Sequence, residues 1–394
     1  MHTANRDIVN KNLFDEREMF FLATGYFLDT NARLQLPIPN ISQIEKYKLL
    51  NTKEHEDLFT KFWSNKINTE FTKNCNRKNL VLLSGGIDSR AILYELLKNT
   101  DADQINTLTF GSPGTLDYEI GNKIAKKLGT KHESIEIDDS ILSLENINQF
   151  GRNIDFSTNL FLTMPFNMLM DYKEFNIWSG TVIDVYYGRH THVQPECNSS
   201  KMVDQFINEN VINKQYESIL NKEYIIKNLN KCPVLKTTPH VLDLYNRQTK
   251  FVSNHLLLKE FKFINMLSQD LIDLSFAINP KELKNQSFYI NAFSNYYHNF
   301  NDIGCKTTFG AKLNSSKMTQ LLFRISNRLL GNKYENYLKW SELIKSEKFE
   351  ILINEVCTLK EINLINKFKE SSQDPLFILN YISLLIIKNS KIKI

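Results

Sequence analysis

Residues 79–90, Asn-Leu-Val-Leu-Leu-Ser-Gly-Gly-Ile-Asp-Ser-Arg, constrain the fold more than any other stretch of this chain. Residues 79–83 are a short apolar run of the kind that makes a buried parallel strand, and residues 91–97 repeat their apolar side chains at helical spacing. Residues 84–89 are therefore a tight strand-to-helix turn. Two adjacent glycines let the backbone approach a ligand closely, and the N–H groups opening the helix present the positive end of its dipole. Ser84 and Ser89 add hydroxyls. Asp88 puts a carboxylate where phosphate would repel it unless Mg2+ lies between them. The turn predicts a nucleotide-phosphate site with a metal.

The surrounding pattern places this turn in an α/β fold. Residues 106–110 read as a second strand, 117–128 as a helix ending at Gly129, 132–137 as a third strand and 175–178 as a fourth. Upstream, the run 19–28 reads as a strand and 54–77 as an amphipathic helix with Leu58, Phe59, Phe62, Trp63, Ile67 and Phe71 on one side. Beyond about residue 197 helical patterning dominates, with the Asn- and Lys-rich stretch 198–235 reading as surface helices. Strands alternating with helices predict a parallel sheet of about five strands with helices on both faces, followed by a mostly helical C-terminal region. Ligands of such sheets bind at the carboxyl ends of the strands, where the turn lies.

Bulk properties narrow the partners. The 394 residues carry 48 basic and 44 acidic side chains, a net charge of +4, which gives no case for bulk nucleic acid as a partner. Cys75, Cys197, Cys232, Cys305 and Cys357 are scattered and odd in number, as expected of reduced thiols rather than a disulfide frame or zinc site. The amino terminus lacks the apolar core of a signal peptide, and the most apolar stretch, 376–387, is too short to cross a bilayer. These features predict a cytoplasmic protein with no membrane partner.

Ser84-Gly85-Gly86-Ile87-Asp88-Ser89 resembles the pyrophosphate-binding (PP-loop) segment of the N-type ATP pyrophosphatases. Residues 109–114 with Asp117, then Ala125, Leu128-Gly129-Thr130 and His132, are similar to the synthetase domain of asparagine synthetases. Ser179-Gly180 with Asp184 and Gly188 resembles that family's S-G-E-G-x-D-E-x-x-G-G segment. Arg247, Leu258 and Glu260 resemble the region around its L-E-x-R-x-P-F-L-D, and Lys306 with Phe309 its R-x-K-x-x-F. The resemblance covers roughly 55–315 and implies three segments: an N-terminal stub (1–54), the ATP pyrophosphatase domain (55–315) and a helical extension (316–394).

What the resemblance implies is an ATP-dependent, AMP-forming ligase that adenylates a small-molecule or peptide carboxylate and joins it to ammonia or another amine. ATP and Mg2+ are the implied ligands. Leu82, Ser84, Gly85, Gly86, Asp88, Ser89, Arg90, Phe110, Ser179 and Gly180 would contact the nucleotide, and Asp88 and Asp184 the metal. Lys306 would stabilise charge on the phosphate, and Glu260 is the candidate to orient or deprotonate the amine. Position 2 is histidine and the front 50 residues are too few for a glutaminase domain, so glutamine hydrolysis is not expected and a homodimer or a separate ammonia-supplying partner is. Thr181 stands where the family has glutamate, Val185 where it has a second acidic residue, and Lys262 and Ile264 replace arginine and proline. These departures fall on the acceptor side and imply an altered substrate. Ammonia-dependent asparagine synthesis and a catalytically lapsed ATP-binding subunit or sensor are the alternatives.

Several residues have simpler readings. Asp184 has a helix N-cap as its alternative reading, Glu260 and Arg90 read as surface or ion-pair residues, and His132 as structural. His190 and His192, two apart without a carboxylate or cysteine cluster, read as exposed histidines. Tyr289, Phe293, Tyr296, Tyr297 and Phe300 have the spacing of a helix packed in a core.

Overall fold

A computed structural model of the chain describes residues 14–161, 169–189, 199–329, 339–371 and 375–392. Its centre is a five-stranded parallel sheet: β1 (Asn79–Leu82), β2 (Ile105–Gly111), β3 (Lys131–Glu136), β4 (Asn176–Ser179) and β5 (Lys262–Asn265). The spatial order is β3-β2-β1-β4-β5, with Asn79 in register with Ile105 on one side and Asn176 on the other. Strand order therefore reverses between β1 and β4, and a crevice opens at their carboxyl ends. The parallel α/β architecture matches the sequence reading.

Period-two alternation along the strands builds two cores. Val81, Trp178 and Ile264 point to one face, where they meet α3 (Thr52–Lys73) and α4 (Ile87–Leu96). Leu80, Leu108 and Ile177 point to the other, which the C-terminal helix Pro375–Ile392 and the helix Leu144–Asn153 cover. On the first face Phe59 and Trp63 of α3 lie edge-on to Phe293 of the helix Ser287–Tyr296, and Tyr289, Phe293, Tyr297 and Phe300 are core as expected, whereas Tyr296 is exposed. Each such fully buried ring contributes about 1.5–3 kcal/mol of apolar transfer.

Two local readings change. The run 19–28 is not a strand: Glu16–Thr24 form helix α1, opened by a reciprocal Asp15/Glu18 capping box and closed at Gly25 with φ +84°. Its residues Met19–Thr24 are buried all round, because α1 is wedged between the C-terminal helix and a third apolar cluster around Phe206 and Ile225. A continuously apolar segment carries no period that separates helix from strand, whereas its caps do. Conversely, β5 lies in a region that reads as helical; it is a four-residue edge strand with only Ile264 buried. In the stretch 198–235, the helices Ser199–Asn210 and Lys222–Asn228 bury Phe206, Ile207 and Ile225 and are otherwise mostly exposed or half-buried. His190, His192 and Cys197 lie outside the described residues.

Candidate active site

The switch point brings the turn after β1 and the turn after β4 together. Gly180 permits the approach: a Cβ there would stand 2.2 Å from the Cβ of Asp88. Gly85 is also required by space, since a Cβ would fall 2.9 Å from the Leu116 carbonyl and 3.3 Å from the Cβ of Lys306. Within the turn, the amides of Ser84, Gly85 and Gly86 donate to Ser89 Oγ, Asp117 Oδ1 and Ser84 Oγ, each at 3.2 Å. No side chain caps the amino end of α4, so the anion-binding capacity of the turn lies in the opening of that helix.

Two carboxylates face each other here. Asp88 is half-buried, accepts a 2.5 Å hydrogen bond from the Tyr289 hydroxyl and is pushed up to about 7 by burial and by the charge of Asp184. Asp184 is buried and accepts from Arg189 Nη1 at 2.8 Å through Oδ2. Apart from the amide of Asp88 itself, neither carboxylate has another hydrogen-bond donor among the described residues. Asp184 thus spends Oδ2 on Arg189 and keeps Oδ1 available, while Asp88 spends Oδ1 on Tyr289. Such a pair fits Mg2+, which takes one or two carboxylates and completes its shell with phosphate oxygens and water. No cluster of three or more metal-binding side chains exists among the described residues, so an all-protein cage is not what this site offers.

Lys306 reaches the same place from a distant part of the chain. Its amide donates to the Gly85 carbonyl at 2.9 Å, its ammonium pairs with Asp117, and the Cys305 thiol donates to the same carbonyl at 3.3 Å. Asp117 therefore ties loop and lysine together, holding the Gly85 amide with one oxygen and Lys306 with the other. Leu82, Phe110, Ser179 and Gly180 stand half-buried at the carboxyl ends of β1, β2 and β4, where a nucleoside would lie.

Two expected site residues lie elsewhere. Arg90 does not face the loop: it is fully buried, and its guanidinium donates to the carbonyls of Phe300 (3.0 Å), Ile303 (3.1 Å) and Gly304 (2.6 Å) while lying over the Phe300 ring. It anchors the segment that delivers Lys306. Glu260 is exposed just before the amino end of β5, paired with Lys173 at 3.5 Å and accepting from Asn153 at 3.2 Å. In a parallel sheet that is the end opposite the crevice, so Glu260 cannot touch an amine bound there.

Arg189 is the contributor that sequence reasoning passed over, while Tyr289 was read only as core and Asp117 only as part of the family resemblance. Tyr289 has core spacing and is core, yet its hydroxyl is the only polar end of that cluster to reach Asp88. Arg189 had a signal, since it occupies the final glycine position of the S-G-E-G-x-D-E-x-x-G-G pattern. Val182, at another glycine of that pattern, keeps φ at +74°, a left-handed conformation unusual for a β-branched residue. Thr181 is buried, and its hydroxyl bonds that of Ser179.

Comparison with known proteins agrees with this geometry. The Asparagine synthase family model matches residues 76–147, which hold β1, the loop, α4, β2, Asp117 and β3. An 82-residue stretch is 30% identical to 7-cyano-7-deazaguanine synthase of Leptospira interrogans serogroup Icterohaemorrhagiae serovar copenhageni (strain Fiocruz L1-130), and equally to that of serovar Lai (strain 56601). The match covers 21% of this chain and 32% of each relative, so the chain spans about a third of their length. Over residues 76–147 the chain is thus similar to the Asparagine synthase family.

Proposed function

We propose that the chain is an ATP-dependent, AMP-forming carbon–nitrogen ligase, with residues 55–315 as its ligase unit. The observation that carries this reading is the meeting, at one switch point, of the uncapped start of α4, the Asp88–Asp184 pair and Lys306. A carboxylate does not react with an amine at neutral pH. Attack of its oxygen on the α-phosphorus of ATP, with loss of pyrophosphate, makes an acyl-adenylate; attack of the amine on the acyl carbon then releases AMP and a proton. The opening of α4 holds the pyrophosphate, and the Lys306 ammonium offsets charge at the α-phosphate. A magnesium ion held by Asp88 and Asp184 would neutralise charge on the departing pyrophosphate. Leu82, Phe110, Ser179 and Gly180 orient the nucleoside, which is the positioning contribution to rate.

The acceptor side supports a substrate other than aspartate. Thr181 and Ser179 present paired hydroxyls where asparagine synthetases are implied to carry a carboxylate, and Glu260 is out of reach. Free ammonia, or ammonia from a separate protein, or another amine serves as the nucleophile. The four described cysteines are all free thiols, which suits the cytoplasmic location we propose; no described helix is long and apolar enough to cross a membrane. A second reading, an ATP-binding sensor without turnover, is favoured by the same loss of a carboxylate at Thr181. Pyrophosphate release from ATP and Mg2+ with a panel of carboxylates and amines decides between them. Turnover lost in Asp88→Asn supports the ligase; ATP binding with no turnover for any pair supports the sensor.

A further inference from the structure

Arg189 is hydrogen-bonded to Asp184 and lies within reach of the charge of Asp88. It closes the irregular turn Val185–Arg189, directly after Gly188, whose φ of +107° and fit against the Leu283 carbonyl leave no room for a side chain. That fit fixes where the next residue points. Its side chain is 58% exposed, whereas that of Asp184 is 9% exposed, so the guanidinium covers the site from the solvent side. Asp184 Oδ2 is its one hydrogen-bonded partner among the described residues, and the charges of Asp88 and Asp117 also act on it. Lys306, the other cation of the site, is already paired with Asp117.

We propose that Arg189 is an internal counter-cation that reserves the Asp88–Asp184 pair for metal arriving with a polyphosphate, the guanidinium passing from Asp184 to the polyphosphate as it binds. This rests on the metal and nucleotide assignments made above and goes beyond them. The guanidinium offsets the charge of Asp184, so a free divalent ion meets a site of reduced negative charge that already holds a cation. A polyphosphate changes the balance. It offers the guanidinium an acceptor of higher charge, matched to its planar fork, and releases an Asp184 oxygen to the metal travelling with it. A glycine at this position could do neither. Metal binding is thereby made conditional on nucleotide through one exposed, exchangeable side chain.

The test uses two ligands whose responses have opposite signs. Mn2+ binding without nucleotide is followed by the electron paramagnetic resonance signal of the free ion, and ATP binding in EDTA by calorimetry, for wild type, Arg189→Met and Arg189→Lys, each checked for folding by thermal melting. Arg189→Met is expected to bind nucleotide-free Mn2+ about tenfold more tightly and metal-free ATP about tenfold more weakly, the size of one charge-assisted contact. Arg189→Lys, which keeps the charge, should leave nucleotide-free Mn2+ binding close to wild type. If Arg189→Met weakens both ligands, the arginine merely supports Asp184 and the proposal falls; unchanged affinities overturn it equally. Identical binding of Mn2+ with ATP by wild type and Asp88→Asn would instead remove the metal assignment beneath it, and the proposal with it.

Discussion

Gly180 lies so close to Asp88 that any side chain at 180 would displace the loop, a Cβ falling 2.2 Å from the Asp88 Cβ. The two residues belong to different strand ends, and their contact sets the width of the crevice between β1 and β4. Gly180→Ala should therefore act on binding more than on folding. Moving Asp88 by an ångström or more is expected to weaken MgATP binding at least tenfold, with a stability loss of about 1–3 kcal/mol from overpacking. Calorimetric titration and urea unfolding measure the two; full-strength MgATP binding by a folded variant would contradict the geometry.

Lys306 is held to the loop through both its amide and its ammonium. Replacing it by methionine keeps the backbone contact with Gly85 and removes the charge. Under the ligase reading, pyrophosphate release should fall by roughly 10²–10³, the usual effect of deleting a preorganised charge partner, while ATP affinity changes less than tenfold. Rapid-quench measurement of the first turnover separates the two effects. A loss confined to ATP affinity would demote Lys306 to a binding residue.

Arg90 satisfies three carbonyls in the segment 300–304 from a fully buried position. Arg90→Met leaves them without a donor and is expected to cost about 3 kcal/mol. Arg90→Lys should recover little, because an ammonium lacks the planar fork that reaches all three carbonyls. Urea midpoints for the three proteins test this. Equal stability of wild type and the methionine variant would show that these carbonyls find other donors.

Lys250 is 2% exposed, donates to the carbonyls of Leu28 and Asn228, and is lowered by burial from an ordinary 10.5 to about 8. Between pH 8 and 10.5 the unfolded chain holds a proton that the folded chain has released, so unfolding takes up a proton and this group makes stability rise with pH. Between about pH 8 and 9.5 the expected gain is on the order of 1–2 kcal/mol. Melting temperatures should climb over that interval in wild type relative to Lys250→Met. Parallel profiles for the two proteins would refute it.

The sequence by itself determined the elements whose signals are local. Residues 79–90 carry strand, turn and helix start within a dozen positions, Gly129 closes its helix as read, and alternation of strands with helices sufficed for a parallel sheet with the glycine turn at its carboxyl edge. Helix α1 also has local signals, the caps Asp15, Glu18 and Gly25, which its continuous apolar run masks. Only the tertiary structure decided which side chains share the site. Tyr289 reaches Asp88 across 201 residues of chain, and Arg90 turns away from the loop to carbonyls 210 or more residues on. Glu260 sits at the wrong end of the sheet although its sequence order suits the site. Local periodicity records which face of a strand or helix is buried, because burial repeats every two or 3.6 residues. It records nothing about which distant hydroxyl, guanidinium or ammonium meets a carboxylate, because that depends on the strand order β3-β2-β1-β4-β5 and on how closely the turns pack.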